Sequence, residues 1–170
     1  ARQFPHFNKP LREGKGSYYE GGIRVPFFAV GPGIDAGTYS SVPIVGYDLL
    51  PTFADLVGSS QSLPSELEGG TFKSVLLNGG EGAVKRSRVG IYFSRQVDAV
   101  LVQGNLKLKL THRTGGLELY DLDKDLSELN DLSDNRPEIT KRMYAELKDW
   151  MDTYDVLTPS PHAPRARRRQ

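Results

Sequence analysis

The sequence predicts an α/β protein built in two units: a mixed strand and helix piece, then a meander of short strands closed by a helix. Three observations carry this. Residues 48–57 place apolar side chains at helical spacing. Residues 106–110 alternate Leu with Lys at the period of a strand. Residues 138–154 return to helical spacing, with Ile139, Met143, Leu147, Trp150 and Met151 on one side. With 170 residues, 38% hydrophobic and 25% charged, the chain has enough apolar material for a packed core, which excludes a wholly disordered chain.

The elements follow in order. Residues 1–22 read as an extended loop punctuated by Gly14, Gly16, Gly21 and Gly22. Residues 23–30 are β-branched and aromatic and predict a buried strand, with Pro26 putting its start near a sheet edge. In the helix at 48–57, Asp48 is the expected N-cap, its carboxylate accepting the free amides of the first turn, and Leu49, Leu50, Phe53, Leu56 and Val57 form the apolar face. Residues 72–77 predict a short helix or turn before the flexible break at 78–82. Strands are expected at 89–93, 99–102, 106–110 and 117–120, with Gly104-Asn105 as a tight hairpin turn. Leu106, Leu108 and Leu110 should face a core while Lys107 and Lys109 face water. Pro137 opens the last helix, and residues 158–170, with three prolines and four arginines, are expected to be disordered. The first unit looks incomplete, since one strand and one long helix cannot cover both faces of a sheet.

Composition excludes several functions. No apolar run approaches the roughly 20 residues of a membrane helix. The absence of cysteine rules out a disulfide scaffold, a thiolate zinc site and a thiol nucleophile. The net charge is +1, but Arg165, Arg167, Arg168 and Arg169 lie in the last six residues; without them 18 basic residues face 21 acidic ones. A basic nucleic-acid surface on the folded part is therefore not expected. The chain opens on Ala1 with no initiator Met and no leader pattern, so it is expected to begin partway through a longer protein.

The densest motif is Leu11-Arg12-Glu13-Gly14-Lys15-Gly16-Ser17-Tyr18-Tyr19-Glu20-Gly21-Gly22-Ile23-Arg24-Val25-Pro26. Two flanking glycines leave the Lys15 ammonium uncrowded and able to deliver a point charge with three donors to an anion. On spacing alone it reads first as a solvated loop lysine, and it is not a P-loop. This stretch resembles the sulfatase family, as do two later segments in the same order. One is Tyr47-Asp48-Leu49-Leu50-Pro51-Thr52; the other runs from Leu119-Tyr120-Asp121-Leu122 through Asp125, Glu128, Asn130 and Leu132, with Leu126 where the family usually has proline. The resemblance covers about residues 8–154.

The resemblance implies that residues 1–82 are the C-terminal part of an alkaline-phosphatase-like sulfatase catalytic domain. Residues 83–157 would be the small C-terminal domain, a four-stranded antiparallel sheet packed by a helix. It gives Lys15 a contact to the substrate sulfate, a sulfate-ester substrate for the parent, and a missing N-terminal part of the catalytic domain as partner. It also implies a formylglycine nucleophile and a calcium-type ion in the parent, and a periplasmic or secreted location. Neither group is expected in this chain: the Cys/Ser-x-Pro-Ser-Arg motif is lacking and the family's metal carboxylates lie before the lysine motif. His112 and Arg113, near a hairpin end, read first as a solvated turn and are candidate substrate contacts by the resemblance, and Tyr18 and Tyr19 either rim the pocket or pack. His6 is read as structural or solvent-facing, and Arg24 as an ion-pair partner of Glu20. Asp121, Asp123 and Asp125 alternate like a calcium loop, but Leu126 replaces its glycine, so a turn network is expected. Two other readings remain open: a related phosphodiesterase or phosphonate hydrolase, and a non-catalytic module binding sulfated glycans.

Overall fold

The computed structural model describes residues 8–95 and 97–156. His6 and the tail at 158–170 lie outside them. The elements run α1 (Glu20–Ile23), a 3-10 turn (Gly46–Asp48), α2 (Leu49–Leu56), a second 3-10 turn (Ser60–Ser62), α3 (Lys73–Leu77), β1 (Ile91–Ser94), β2 (Asp98–Gln103), β3 (Leu106–Thr111), β4 (Gly116–Asp121) and α4 (Pro137–Thr153). Two compact units emerge: residues 25–90 form one, and residues 8–24 join 91–156 in the other. A boundary near residue 82 leaves the first 24 residues with the helical piece; by contacts they group with the sheet.

In the sheet unit, β1 to β4 form an antiparallel meander in sequence order. Gly104, with φ of 60°, makes the hairpin turn that sets Leu101 opposite Leu108. Leu108 in turn faces Leu119. On this face Tyr92, Ala99, Leu101, Leu108, Leu110 and Leu119 pack against Met143, Leu147 and Met151 of α4. Trp150 stacks on Tyr92 at 5.2 Å between ring centroids. The outer edge of β4 is closed by the following segment, where the Leu119 amide donates to Asp131 and the Leu132 amide donates to the Leu119 carbonyl. The aspartates after β4 form a turn network: Asp121 accepts from Asn105 and Asp125 from the Asn130 amide.

The opposite face of the sheet departs from the alternation rule. Lys107 is 0% exposed and Lys109 5% exposed, where the Leu/Lys pattern places both in water. Residues 12–24, far away in sequence, cover this face, so the lysines are buried and paired. The reason is tertiary: period two says only that successive side chains point to opposite faces, and what covers each face is settled elsewhere in the chain.

In the unit of residues 25–90, the expected strand at 23–30 does not form. Ile23 ends α1, and the residues after it are extended without ladder partners among those described. Val25, Phe28 and Val30 are 75%, 87% and 99% exposed, whereas Phe27 meets Phe72 edge-on at 5.8 Å. The apolar stripe of α2 is likewise turned outward, with Leu50, Phe53, Leu56 and Val57 exposed and Pro51 and Thr52 buried. Asp48 stands at the N-cap position but makes no side-chain cap bond. Its fully buried carboxylate instead accepts two bonds from Arg86 at 2.9 and 2.6 Å, and one each from the Gly70 and Val45 amides. A guanidinium fork outcompetes the helix amides for the same oxygens. The Thr52 hydroxyl extends this joint, donating to the Asp48 carbonyl and accepting from the Phe72 amide.

Leu147 is fully buried where α4 meets the sheet. Truncation to Ala removes three carbons from a packed site, so Leu147→Ala should lower unfolding stability by about 2–5 kcal/mol. The check is a shift of the urea midpoint in circular dichroism with the slope unchanged.

Candidate functional site

Lys15 sits on a loop that is tied down at both ends. The Asn8 amide donates to the Gly21 and Glu13 carbonyls, the Leu11 amide donates to the Asn8 carbonyl, and the Gly21 amide donates to the Arg12 carbonyl. The Glu-Gly-Gly turn of α1 lies directly on the loop backbone. A Cβ on Gly22 would stand 2.1 Å from the Ser17 carbonyl oxygen and 2.7 Å from that of Gly14, so only glycine permits the approach. Gly16 has φ of 99°, again a glycine conformation. The result is a lysine that is exposed, with no hydrogen bond or ion pair to its ammonium among the described residues.

Below the loop lies a buried charge cluster. Glu20 is 5% exposed, and Glu128 and Lys107 are fully buried. The Lys107 Nζ is 2.9 Å from a Glu20 carboxylate oxygen and 2.7 Å from one of Glu128. The other Glu128 oxygen accepts from the Glu20 backbone amide at 2.6 Å, and the other Glu20 oxygen pairs with Arg24 at 3.1 Å. Two carboxylates thus meet two cations, and burial still pushes the Glu128 carboxyl above its ordinary value against the pull of Lys107. Glu128 holds φ of 53°, a left-handed conformation costly for a residue with a Cβ.

A second cluster holds the start of the loop. The Arg12 guanidinium donates to the Tyr120 hydroxyl at 3.1 Å and to the Glu128 carbonyl at 2.8 Å, and lies 3.8 Å over the Tyr19 ring. The Tyr19 and Tyr120 hydroxyls both donate to one oxygen of Glu118, at 2.6 and 2.5 Å, while Lys109 donates to the other at 2.9 Å. Burial alone would raise the Glu118 carboxyl, but the bonds from Tyr120, Tyr19 and Lys109 hold it below the ordinary value. Burial and the same carboxylate push both tyrosines well above theirs.

A cleft of about 540 Å³ opens beside the loop, lined by Gly16, Tyr18, Arg95, Val97 and Asp98. Tyr18 packs on Phe93 at 6.0 Å, and the Arg95 amide donates to the Asp98 carbonyl to close the β1–β2 turn.

Comparison with known proteins gives this arrangement a context. A protein named Sulfatase from Formosa agariphila is 27% identical over an alignment of 169 residues, covering 86% of this chain and 30% of that protein. The chain resembles a C-terminal portion of a sulfatase. The crystal structure of Ps i-CgsB in complex with k-i-k-neocarrahexaose superposes with a TM-score of 0.70 at 30% identity, over 90% of this chain and 34% of that one. BT4656, solved with its substrate D-glucosamine-2-N,6-O-disulfate, shares the fold with a TM-score of 0.57 at 23% identity, over 76% of this chain and 28% of that one. No family model matches the chain. The chain therefore spans about a third of the length of the proteins it matches, and its α/β architecture, a four-stranded antiparallel sheet with a packing helix, is the one they share there.

Within this sulfatase-like fold the expected residues fall in different places. Lys15 stands beside the cleft through its neighbour Gly16. Tyr18 lines the cleft, whereas Tyr19 is packed and bonded beneath Arg12. Arg24 pairs with Glu20 as the sequence indicates. His112 follows β3 with its amide bonded to the Val97 carbonyl and its ring 3.3 Å from the Ser94 hydroxyl; Arg113 beyond it is exposed, and neither lines the cleft. Burial pushes the His112 imidazole below its ordinary value. Sequence reasoning missed Arg95 and Asp98, which sit in an unremarked turn, and it missed Lys107, Glu118 and Glu128 as a joint support. The usable signal was two acids inside motif segments, Glu20 and Glu128, and a third, Glu118, just before one, with two lysines on one strand face to receive them.

Glu118 gives the site its acid sensitivity. Because its folded pKa lies below the unfolded value near 4.5, it contributes stability that is complete above about pH 4.5 and is lost as pH falls through the lowered value. Glu118→Gln should cost about 1.5–3 kcal/mol at pH 7 and flatten the fall in stability below about pH 4.5. Thermal melts at pH 7 and pH 3 read both effects; a variant that keeps the full acid loss would remove Glu118 from this role.

Proposed function

We propose that this chain is the C-terminal part of a sulfatase, in which Lys15 supplies a cation to the sulfate of the substrate. In this reading residues 1–82 complete the catalytic α/β domain and residues 83–157 form the small C-terminal domain. The parent hydrolyses sulfate esters and acts in the periplasm or after secretion. One observation carries the reading: the loop around Lys15 is fixed by buried ion pairs and close glycine contacts, yet the ammonium itself is left exposed and uncommitted among the described residues. Functional side chains are held in place by a rigid supporting shell, and this loop has one. The outward apolar residues of the other unit, Phe28, Val30, Phe53 and Val57 among them, support its completion by further chain.

The chemistry follows from charge. When the ester bond breaks, negative charge grows on the leaving oxygen, and a preorganised ammonium stabilises that charge more than it stabilises the ground state. In the parent a formylglycine supplies the nucleophile and a calcium-type ion the Lewis acid, as the resemblance implies. No three His, Asp or Glu gather to hold a metal among the described residues. The nearest sequence to the nucleophile motif, Ser62-Leu63-Pro64-Ser65, carries Glu66 in place of arginine and lies exposed. The resemblance places both groups in the portion of the parent outside this chain. His112 and Arg113 are kept as substrate contacts beyond the cleft.

In the full-length parent, Lys15→Ala should lower kcat by roughly 10²-fold or more, in line with about 2.7–4 kcal/mol for one preorganised donor. KM should change less, and Lys15→Arg should rescue poorly because a planar fork does not reproduce a compact ammonium. Turnover of an aryl sulfate measures this, with an aryl phosphodiester alongside. Near-normal kcat in Lys15→Ala, or a preference for the phosphodiester, would contradict the assignment.

A further inference from the structure

The cleft beside Lys15 carries a second cation that the sulfate contact does not use. We propose that Arg95 reads a second anionic group on the substrate, so that the chain selects hydroxylated ligands bearing two negative groups over those bearing one. The proposal rests on the Lys15 reading, which supplies the first anion contact.

The observations converge on the β1–β2 turn. Arg95 is exposed, lines the cleft with Gly16 and Tyr18, and has no hydrogen bond or ion pair to its guanidinium among the described residues. The nearby acid does not neutralise it. Asp98 is turned towards Lys109, 3.5 Å away, which also holds Glu118. The turn carrying Arg95 is braced two ways: by its own amide bond to the Asp98 carbonyl and by the His112 amide on the Val97 carbonyl. A braced turn holds its guanidinium in place at low entropic cost, and the planar fork suits the paired oxygens of a sulfate or carboxylate. The cleft volume, about 540 Å³, fits one or two sugar-sized rings. Tyr18, 9% exposed and packed on Phe93, provides a rigid wall, and Asp98 an acceptor for ligand hydroxyls. Arg95 is thus an uncommitted fork lining the cleft, and Lys15 is an uncommitted point charge on the residue next to Gly16 of the same lining.

The test uses the chain itself, titrated with glucosamine 6-O-sulfate and with glucosamine 2-N,6-O-disulfate and followed by NMR at the Gly16 and Tyr18 amides and the Arg95 side-chain Nε–H. The disulfate should bind roughly fivefold or more tightly, the extent of one added charge-assisted contact at a partly open site. Arg95→Gln should erase the preference while leaving the monosulfate affinity within about twofold. Lys15→Ala should weaken both ligands. Equal affinities, binding by neither ligand, or a preference that survives Arg95→Gln would overturn the proposal while leaving the Lys15 reading to the kcat assay. A preference lost in Arg95→Gln but affinities unchanged in Lys15→Ala would overturn the Lys15 reading, and the two-anion arrangement with it.

Discussion

Lys107 lies fully buried in the middle strand pair, with its ammonium between the carboxylates of Glu20 and Glu128. Each of these three groups comes from a different stretch of the chain: the end of the Lys15 loop, strand β3, and the turn after β4. A charge buried this way costs several kcal/mol to desolvate, and pairing returns most of that without a large surplus. Its consequence is positional. Only one placement of residues 12–24 on the sheet satisfies all three groups at once, because any slip would leave an ion unpaired at a cost of about 3–5 kcal/mol. The Glu20 amide, bonded to Glu128, then fixes where α1 begins, and the glycine contacts of α1 fix the loop above it. The position of Lys15 is set in this chain of dependence by groups that never touch it.

The second support, around Glu118, works differently. One carboxylate gathers two tyrosine hydroxyls and a lysine, with Arg12 stacked over Tyr19. These bonds hold the acid charged although burial opposes it, so the cluster weakens in acid where the Lys107 cluster has a carboxyl already raised by burial. The two clusters lie on neighbouring residues of the same strand pair, Lys107 opposite Tyr120 and Lys109 opposite Glu118. The sheet thus presents one apolar face to α4 and one charged but buried face to the loop.

Much of this was legible in the sequence where local rules decide. The hairpin at Gly104-Asn105, the four strands and the helix from Pro137 follow from turn chemistry and periodicity, and the structure shifts their bounds by a residue or two. Legibility failed where partners come from afar. Lys107 and Lys109 follow the pattern of a wet face until residues 12–24 cover them. Asp48 has every property of a helix cap, and Arg86, 38 residues on, claims its oxygens. The run at 23–30 has strand composition, but a strand needs a neighbour, and residues 25–90 hold none for it among those described. In the site, Lys15 could be found from its glycines and from the sulfatase-like motif. Arg95 could not, since a lone arginine in a four-residue turn has no pattern of its own.

The dependence of the loop on the buried cluster can be tested amide by amide. Glu128→Ala removes the acceptor of the Glu20 amide and leaves Lys107 its second partner, and native-state hydrogen exchange then reports local opening. Loss of a hydrogen bond to a charged group should speed exchange at Glu20, Gly21 and Arg24 by about tenfold or more. Leu101 and Leu108, within the sheet ladder, should keep their protection. If Glu20, Gly21 and Arg24 exchange as slowly as before, or if loop and sheet accelerate together, the cluster does not position the loop and the account is contradicted.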